Sequence, residues 1–158
     1  MESYIDRPAY IEKIRPFMGK SMIKVLTGQR RVGKSYLLMQ VRDIIQKQDP
    51  GRRIVYINKE LYEFSGITNP ETLFGYLNSV ADRDDSVALF IDEIQDIDSF
   101  EIVLRDLVTL KHYDIYCTGS NANLLSGELA SYLGGRYIEI KVYTLSYKEF
   151  LNFHRLKD

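Results

Sequence analysis

Eight consecutive residues, Gly28-Gln29-Arg30-Arg31-Val32-Gly33-Lys34-Ser35, satisfy the pattern G-x-x-x-x-G-K-[ST] at every fixed position. Each fixed residue type has a chemical reason for its place. The glycines let the backbone curl so that successive N–H groups face inward and form an anion-binding nest. Lys34 brings a mobile positive charge to the end of a phosphate chain, and the Ser35 hydroxyl is a ligand for Mg²⁺. A helix opening at this point adds the positive end of its dipole to the same spot. Residues Gly28 to Ser35 are therefore the candidate nucleotide contacts. Tyr36, next in line, serves either as a further contact or as a core residue.

A second chemical signal is the run Val87-Ala88-Leu89-Phe90-Ile91-Asp92-Glu93. A buried strand that ends in two adjacent acids is costly unless the charges are used. Alternation along a strand sends the two side chains in different directions, so they take different roles. Asp92 is expected to hold Mg²⁺ with Ser35, through water. Glu93 is expected to orient and polarise the water that attacks a terminal phosphate. A third polar tip, Ser120-Asn121, follows the run Asp114-Ile115-Tyr116-Cys117-Thr118. Ser120 and Asn121 are both candidates to sense that phosphate, and one of them also serves the turn that follows. Cys117 is read as a small core residue rather than a nucleophile.

These groups need elements to hold them. Met22-Ile23-Lys24-Val25-Leu26-Thr27 is β-rich and precedes the loop. A helix from Ser35 to about Gln48 follows, with apolar residues spaced by three and four, and Asp49-Pro50-Gly51 stops it. Arg52 to Asn58 reads as a second strand whose continuous apolar centre suggests cover on both faces. Asn69 and Pro70 start a helix that runs to about Val80. Asp82 to Ser86 is a solvated turn, and Asn58-Lys59-Glu60 lacks the aspartate of the guanine-recognition pattern. Asp98-Ser99 is expected to cap a helix from about Phe100 to Leu110. Glu128 to Leu133 is a short helix, and Tyr137 to Val142 is a fifth strand. Ser146-Tyr147-Lys148-Glu149 fits a capping box that opens a final helix.

Residues 1–21 read as a lead-in to a core spanning 22–158, with a short helix from Ala9 to about Phe17. Arg7 is either a solvated loop charge or a contact to the base or ribose of a nucleotide. Strand, loop and helix repeated about five times give an α/β fold with a parallel sheet and right-handed crossovers. Its ligand belongs at the carboxyl ends of the strands, where the loop, Asp92, Glu93 and Ser120 converge.

The chain has 158 residues, enough to bury one core, and is 45% hydrophobic and 27% charged. Twenty-one basic against 22 acidic residues give no bias toward nucleic acid or an anionic surface. No basic stripe with interleaved aromatics supports nucleic-acid binding. A single cysteine excludes an internal disulfide and fits a reducing cytoplasm. The opening residues, with Glu2, Asp6 and Arg7, do not read as a signal peptide, and no apolar run approaches the roughly 20 residues that span a bilayer.

The stretches GQRRVGKSYLL, LFIDEIQ, TGSNANLL, the LGGR around Arg136, and TLSYKEF together resemble the ATPase core of the additional-strand P-loop class. More narrowly, the chain is similar to prokaryotic ATPases of the AAA+ superfamily from about Arg7 to Phe150. The resemblance implies a three-layer α/β/α P-loop NTPase with a five-stranded parallel sheet in the order 5-1-4-3-2. It implies Mg²⁺ and ATP as ligands, with catalytic roles for Lys34, Glu93 and Ser120. Two departures, Gln29 where proline is common and Ser35-Tyr36 for a Thr-Thr pair, remove no needed group. Relatives usually continue into a C-terminal domain often compared with nucleases, and this chain is expected to be a fragment of such a protein. Arg136 stands where AAA+ proteins often place an arginine that reaches a neighbouring subunit's γ-phosphate; a local turn arginine is the alternative. Arg30 and Arg31 are rival contacts from within the same chain.

Three functional classes follow. The first is an ATP-hydrolysing enzyme that couples turnover to conformational change, possible in a homo-oligomer or with a further domain or protein partner. The second is a slow nucleotide-dependent switch with little turnover. A small-molecule kinase is the third and the least suited, because the acid pair fits water activation and no arginine-rich lid is evident.

Overall fold

The computed structural model describes residues 4–120, 124 and 128–157. Asn121, one of the two candidate phosphate sensors, lies outside the described residues. Five strands form one sheet: β1 (Ile23–Thr27), β2 (Arg53–Asn58), β3 (Val87–Asp92), β4 (Tyr113–Gly119) and β5 (Tyr137–Lys141). Their spatial order is β2-β3-β4-β1-β5 and every pairing is parallel. This is the 5-1-4-3-2 order that the family resemblance implies, read from the other edge.

Strand alternation divides the core between the two faces. Val87, Leu89 and Ile91 of β3 face one side, where they pack with α3 (Pro70–Val80), α4 (Phe100–Leu110) and Leu133 of α5 (Glu128–Leu133). Ala88 and Phe90 face the other, against α1 (Pro8–Ile14) and α2 (Lys34–Gln48). Phe90 stacks on Tyr116, with ring centroids 4.9 Å apart. The result is a three-layer α/β/α arrangement.

Several local expectations are met by visible chemistry. Asn69 caps α3 by accepting from the Thr72 N–H at 3.0 Å, with Pro70 at the first turn. Ser146 and Glu149 form a reciprocal capping box at the start of α6 (Tyr147–His154). Other expectations need correction. The first helix ends at Ile14 and a tight 3₁₀ turn carries the chain through Arg15–Phe17, because Pro16 lacks the N–H that would continue it. β2 is an edge strand, and only Val55 and Ile57 along it are fully buried. Ile54 and Tyr56 lie half-buried on its other face, with Tyr56 stacked on Phe90, so the apolar run is covered on both faces but less completely on one. Ser99 stands at the head of α4 but makes no capping bond. Its φ of 51° is left-handed, whereas a capping side chain needs the extended conformation to reach the helix donors.

At the amino ends of the strands, a charge cluster is sealed inside the protein. Lys24 on β1 is fully buried, and its Nζ donates to Asp114 Oδ1 at 2.6 Å and to the carbonyls of Met22 and Lys20. Asp114 Oδ2 accepts from the Gly19 N–H and the Tyr116 hydroxyl. Burial lowers the pKa of Lys24 while the Asp114 carboxylate opposes that shift.

Candidate functional site

β1 lies between β4 and β5, and the chain leaves it toward α2 on one face while β4 leads on toward α5 on the other. Strand order reverses at this crevice, the place where open parallel sheets bind ligands. The loop Gly28 to Ser35 starts directly beyond Thr27. Gly28 has a φ of +149°, and a Cβ built on it would fall 2.3 Å from the Val142 carbonyl oxygen. That carbonyl belongs to the segment leaving β5, whose Val142 N–H donates to Thr27 O at 2.7 Å. Glycine is therefore demanded by a backbone neighbour as well as by the phosphate curl. Gly28→Ala is expected to cost roughly 2–3 kcal/mol, since a carbonyl cannot swing aside like a side chain. Thermal unfolding checks this, and a variant as stable as wild type would show that the β5 exit yields freely.

Gly33 is the N-cap of α2 with a φ of 94°, and Arg31 is also left-handed at 66°. These two positions give the loop its curl. Lys34 is buried, and its Nζ donates to the carbonyls of Gly28 at 3.0 Å and Gln29 at 2.8 Å. Burial pulls its pKa down, while Glu93 and Asp92 pull it back up. Arg30 and Arg31 are exposed, and Val32 is buried beneath them. Tyr36 is 56% exposed, which removes the core role the sequence left open for it.

Asp92 ends β3 and is buried. Its Oδ1 accepts from the Thr118 hydroxyl, and its Oδ2 has no partner. Burial raises its pKa, against the influence of the Thr118 and Ser35 hydroxyls. A buried carboxylate oxygen without a partner, close to a serine hydroxyl, is a donor set that fits a hard divalent cation. Ser35 and Asp92 thus lie close together.

Glu93 sits one residue past the strand, at a left-handed φ of 60°. Its N–H donates to Thr118 Oγ1 at 2.9 Å, so one threonine anchors both acids. The Glu93 carboxylate is held through Oε2, which accepts from Ser120 Oγ at 2.9 Å and from the Gln95 side-chain amide. Gln95 also donates to Ser120 Oγ at 3.2 Å. Thr118 and Gln95 were not singled out by sequence reasoning. The signal for Gln95 was its place in the turn after the acid pair, Ile94–Asp96, which folds back toward the tip of β4.

Arg7 also departs from its first expectation. It is 4% exposed rather than solvated, and its guanidinium reaches Val32 O, Tyr143 O and Glu149. Arg136 is exposed and donates to Thr109 Oγ1 at 3.3 Å. Its carbonyl accepts from the Ile23 N–H, at the amino end of β1. The strand separates it from the loop by roughly 15 Å at about 3.3 Å per residue. The structure therefore does not bring Arg136 to the other site residues of this chain. A cleft of about 510 Å³ opens beside the loop, lined by Gly28, Gln29, Val32, Ser120, Glu139 and Tyr143 among others. Among the described residues no helix is long and apolar enough to cross a membrane.

Known proteins share this architecture. The domain III structure of the Thermotoga maritima replication initiation protein DnaA superposes with a TM-score of 0.60 at 16% identity, covering 98% of this chain and 73% of that one. AMPPCP-bound DnaA from Aquifex aeolicus gives 0.59 at 16% identity, covering 100% of this chain and 55% of that one. At such identities the likeness speaks for the fold alone. An uncharacterised protein of Haemophilus influenzae is 40% identical over 153 residues, covering 96% of this chain and 38% of its own length. One from Methanocaldococcus jannaschii is 37% identical over 131 residues, covering 83% of this chain and 28% of its own length. The chain thus spans well under half the length of these two relatives. Residues 20–151 match the AAA domain family, from just before β1 into α6, and the chain belongs to that family.

Proposed function

We propose that the chain binds ATP with Mg²⁺ and hydrolyses it, coupling nucleotide state to conformational change. The observation that carries this reading is the buried Asp92 carboxylate, whose Oδ2 makes no close hydrogen bond and has the Ser35 hydroxyl as a neighbour, at the foot of a phosphate-binding loop. Ser35 and Asp92 would hold the Mg²⁺, Asp92 through water. The metal, when bound, supplies charge neutralisation for the phosphate oxygens. The loop N–H groups bind phosphate, and Lys34 adds a charge able to turn from the Gly28 and Gln29 carbonyls toward it.

Glu93 acts as the base that orients water. Both of its hydrogen bonds from Ser120 and Gln95 fall on Oε2, which fixes the carboxylate and leaves Oε1 to take the proton. Ser120 then links the position of Glu93 to whatever occupies the end of the loop. Arg136 serves a neighbouring subunit if the chain assembles, because its own loop lies at the opposite ends of the strands. A further domain beyond this core is consistent with the greater length of the relatives.

The test is calorimetric titration with Mg²⁺ and ATP, followed by phosphate release over a wide range of protein concentration. Lys34→Ala serves as the blank and is expected to lose at least tenfold in affinity, as a buried charge-assisted contact to phosphate is removed. Equal ATP binding by wild type and Lys34→Ala would sink the reading. A rate per chain that rises with concentration would support subunits completing one another's sites.

A further inference from the structure

Arg7 joins three parts of the chain behind the phosphate loop. Its Nη1 donates to Val32 O at 2.9 Å, within the loop itself. Nε and Nη2 grip the two carboxylate oxygens of Glu149 at 2.8 and 3.2 Å, and Nη2 also donates to Tyr143 O at 3.0 Å. The Arg7 backbone N–H donates to the side chain of Gln40 on α2, whose amide returns a bond to Ile5 O. The Tyr10 ring lies 4.5 Å beneath the guanidinium. Few side chains could do this. Only a planar fork with five N–H groups can hold a carboxylate in two places and still reach separate carbonyls.

We propose that Arg7 is a positioning residue of the phosphate loop, held in place by Glu149, so that the first turn of α6 is a working part of the nucleotide site. This rests on the ATP-binding reading above. In a trans peptide the carbonyl and the N–H point in opposite directions. Arg7 holds the Val32 carbonyl from behind, and the Gly33 N–H of the same peptide unit is thereby turned away from Arg7, toward the phosphate side. Gly33 is the residue most able to let that peptide flip, because its left-handed φ of 94° has close alternatives for glycine alone. A fixed donor is worth more to an anion than one that must reorient on binding.

Glu149 ties this arrangement to α6. Its Oε2 accepts from the Ser146 N–H at 2.8 Å as one half of the capping box, while the same carboxylate holds Arg7. Hydrogen bonding from Arg7 is the main reason its pKa is held down at about 2. The two ends of the chain, 142 positions apart, therefore meet at one carboxylate behind the loop. Ordering the loop on a phosphate should steady Arg7, then Glu149, then the first turn of α6.

Glu149→Gln separates this role from mere folding. Glutamine keeps the capping box, since its oxygen still accepts from Ser146, but it removes the charge that holds Arg7. Arg7→Lys is the companion, keeping the charge and losing the fork. Binding of a non-hydrolysable ATP analogue with Mg²⁺ would be measured for wild type, both single variants and the double variant. Amide exchange over residues 147–154 would be read with and without the analogue.

Each single variant is expected to weaken binding about tenfold, with the double variant no weaker than either. The analogue should slow exchange in α6 of wild type but not of Glu149→Gln. Single-variant losses that add in the double variant, or α6 exchange that responds equally in both proteins, would overturn the proposal while ATP binding stands. Wild type that fails to bind the analogue would instead overturn the ATP reading, and this proposal with it.

Discussion

Replacing Glu93 by glutamine is expected to reduce ATP turnover by about two to four orders of magnitude, the range a positioned general base contributes, with ATP affinity little changed. The geometry makes this substitution clean. A glutamine oxygen can still accept from Ser120 and the Gln95 amide, as Glu93 Oε2 does, so the tip of β4 and the turn after β3 stay joined. What is lost is the ability of the second oxygen to take a proton. Alanine would be a poorer probe, because it strands two donors in a half-buried site. Single-turnover phosphate release together with analogue binding checks the split between rate and affinity. Turnover that survives Glu93→Gln would remove the base from this residue.

The second large effect concerns stability. Asp114→Ala is expected to destabilise the fold by about 3–5 kcal/mol, because it leaves the buried ammonium of Lys24 without its countercharge. The Gly19 N–H and the Tyr116 hydroxyl lose their acceptor in the same step. A fall in unfolding temperature on the order of 10 °C follows for a chain of this size. Removing both charges with Lys24→Met and Asp114→Leu should recover the part of that loss due to the unpaired ammonium, while the Gly19 N–H, the Tyr116 hydroxyl and Arg52 stay without their acceptor. Urea and thermal unfolding of the three variants measure this. An Asp114→Ala protein as stable as wild type would mean that water reaches Lys24 and that the cluster is not sealed.

The sequence announced most of the chemistry because that chemistry is local. Gly28 to Ser35 is a contiguous loop, and Asp92-Glu93 follow one another at a strand tip, so spacing along the chain was enough to read them. The five strands were legible for the same reason, as each is a short apolar run bounded by turn residues. Groups whose meaning depends on a distant partner were harder to read. Lys24 is a charge in an apolar strand, and its reason for being there is Asp114, 90 positions away. Arg7 looked like a loop charge because its acceptors are a carbonyl in the phosphate loop and a carboxylate near the far end. Thr118 looked like one more β-branched strand residue until β3 and β4 were side by side. The apolar run of β2 reports the cover on its two faces and says nothing about its place at the sheet edge. Ser99 had the right residue type for a cap, but the chain enters α4 with the wrong backbone angle for its hydroxyl to be used.

The central place of β1 has a consequence for how the protein is made. The strand that carries the phosphate loop is synthesised early, yet both of its neighbours, β4 and β5, come from the second half of the chain. On the ribosome, β1 emerges with two unpaired edges and stays so until residues 113–141 have left the exit tunnel. Pairings of such long range carry a large loop-closure cost and form slowly. During that interval an apolar strand is open to capture by other nascent chains. The loop Gly28 to Ser35 is thus made early, yet it reaches its folded setting only after β4 and β5 have paired with β1.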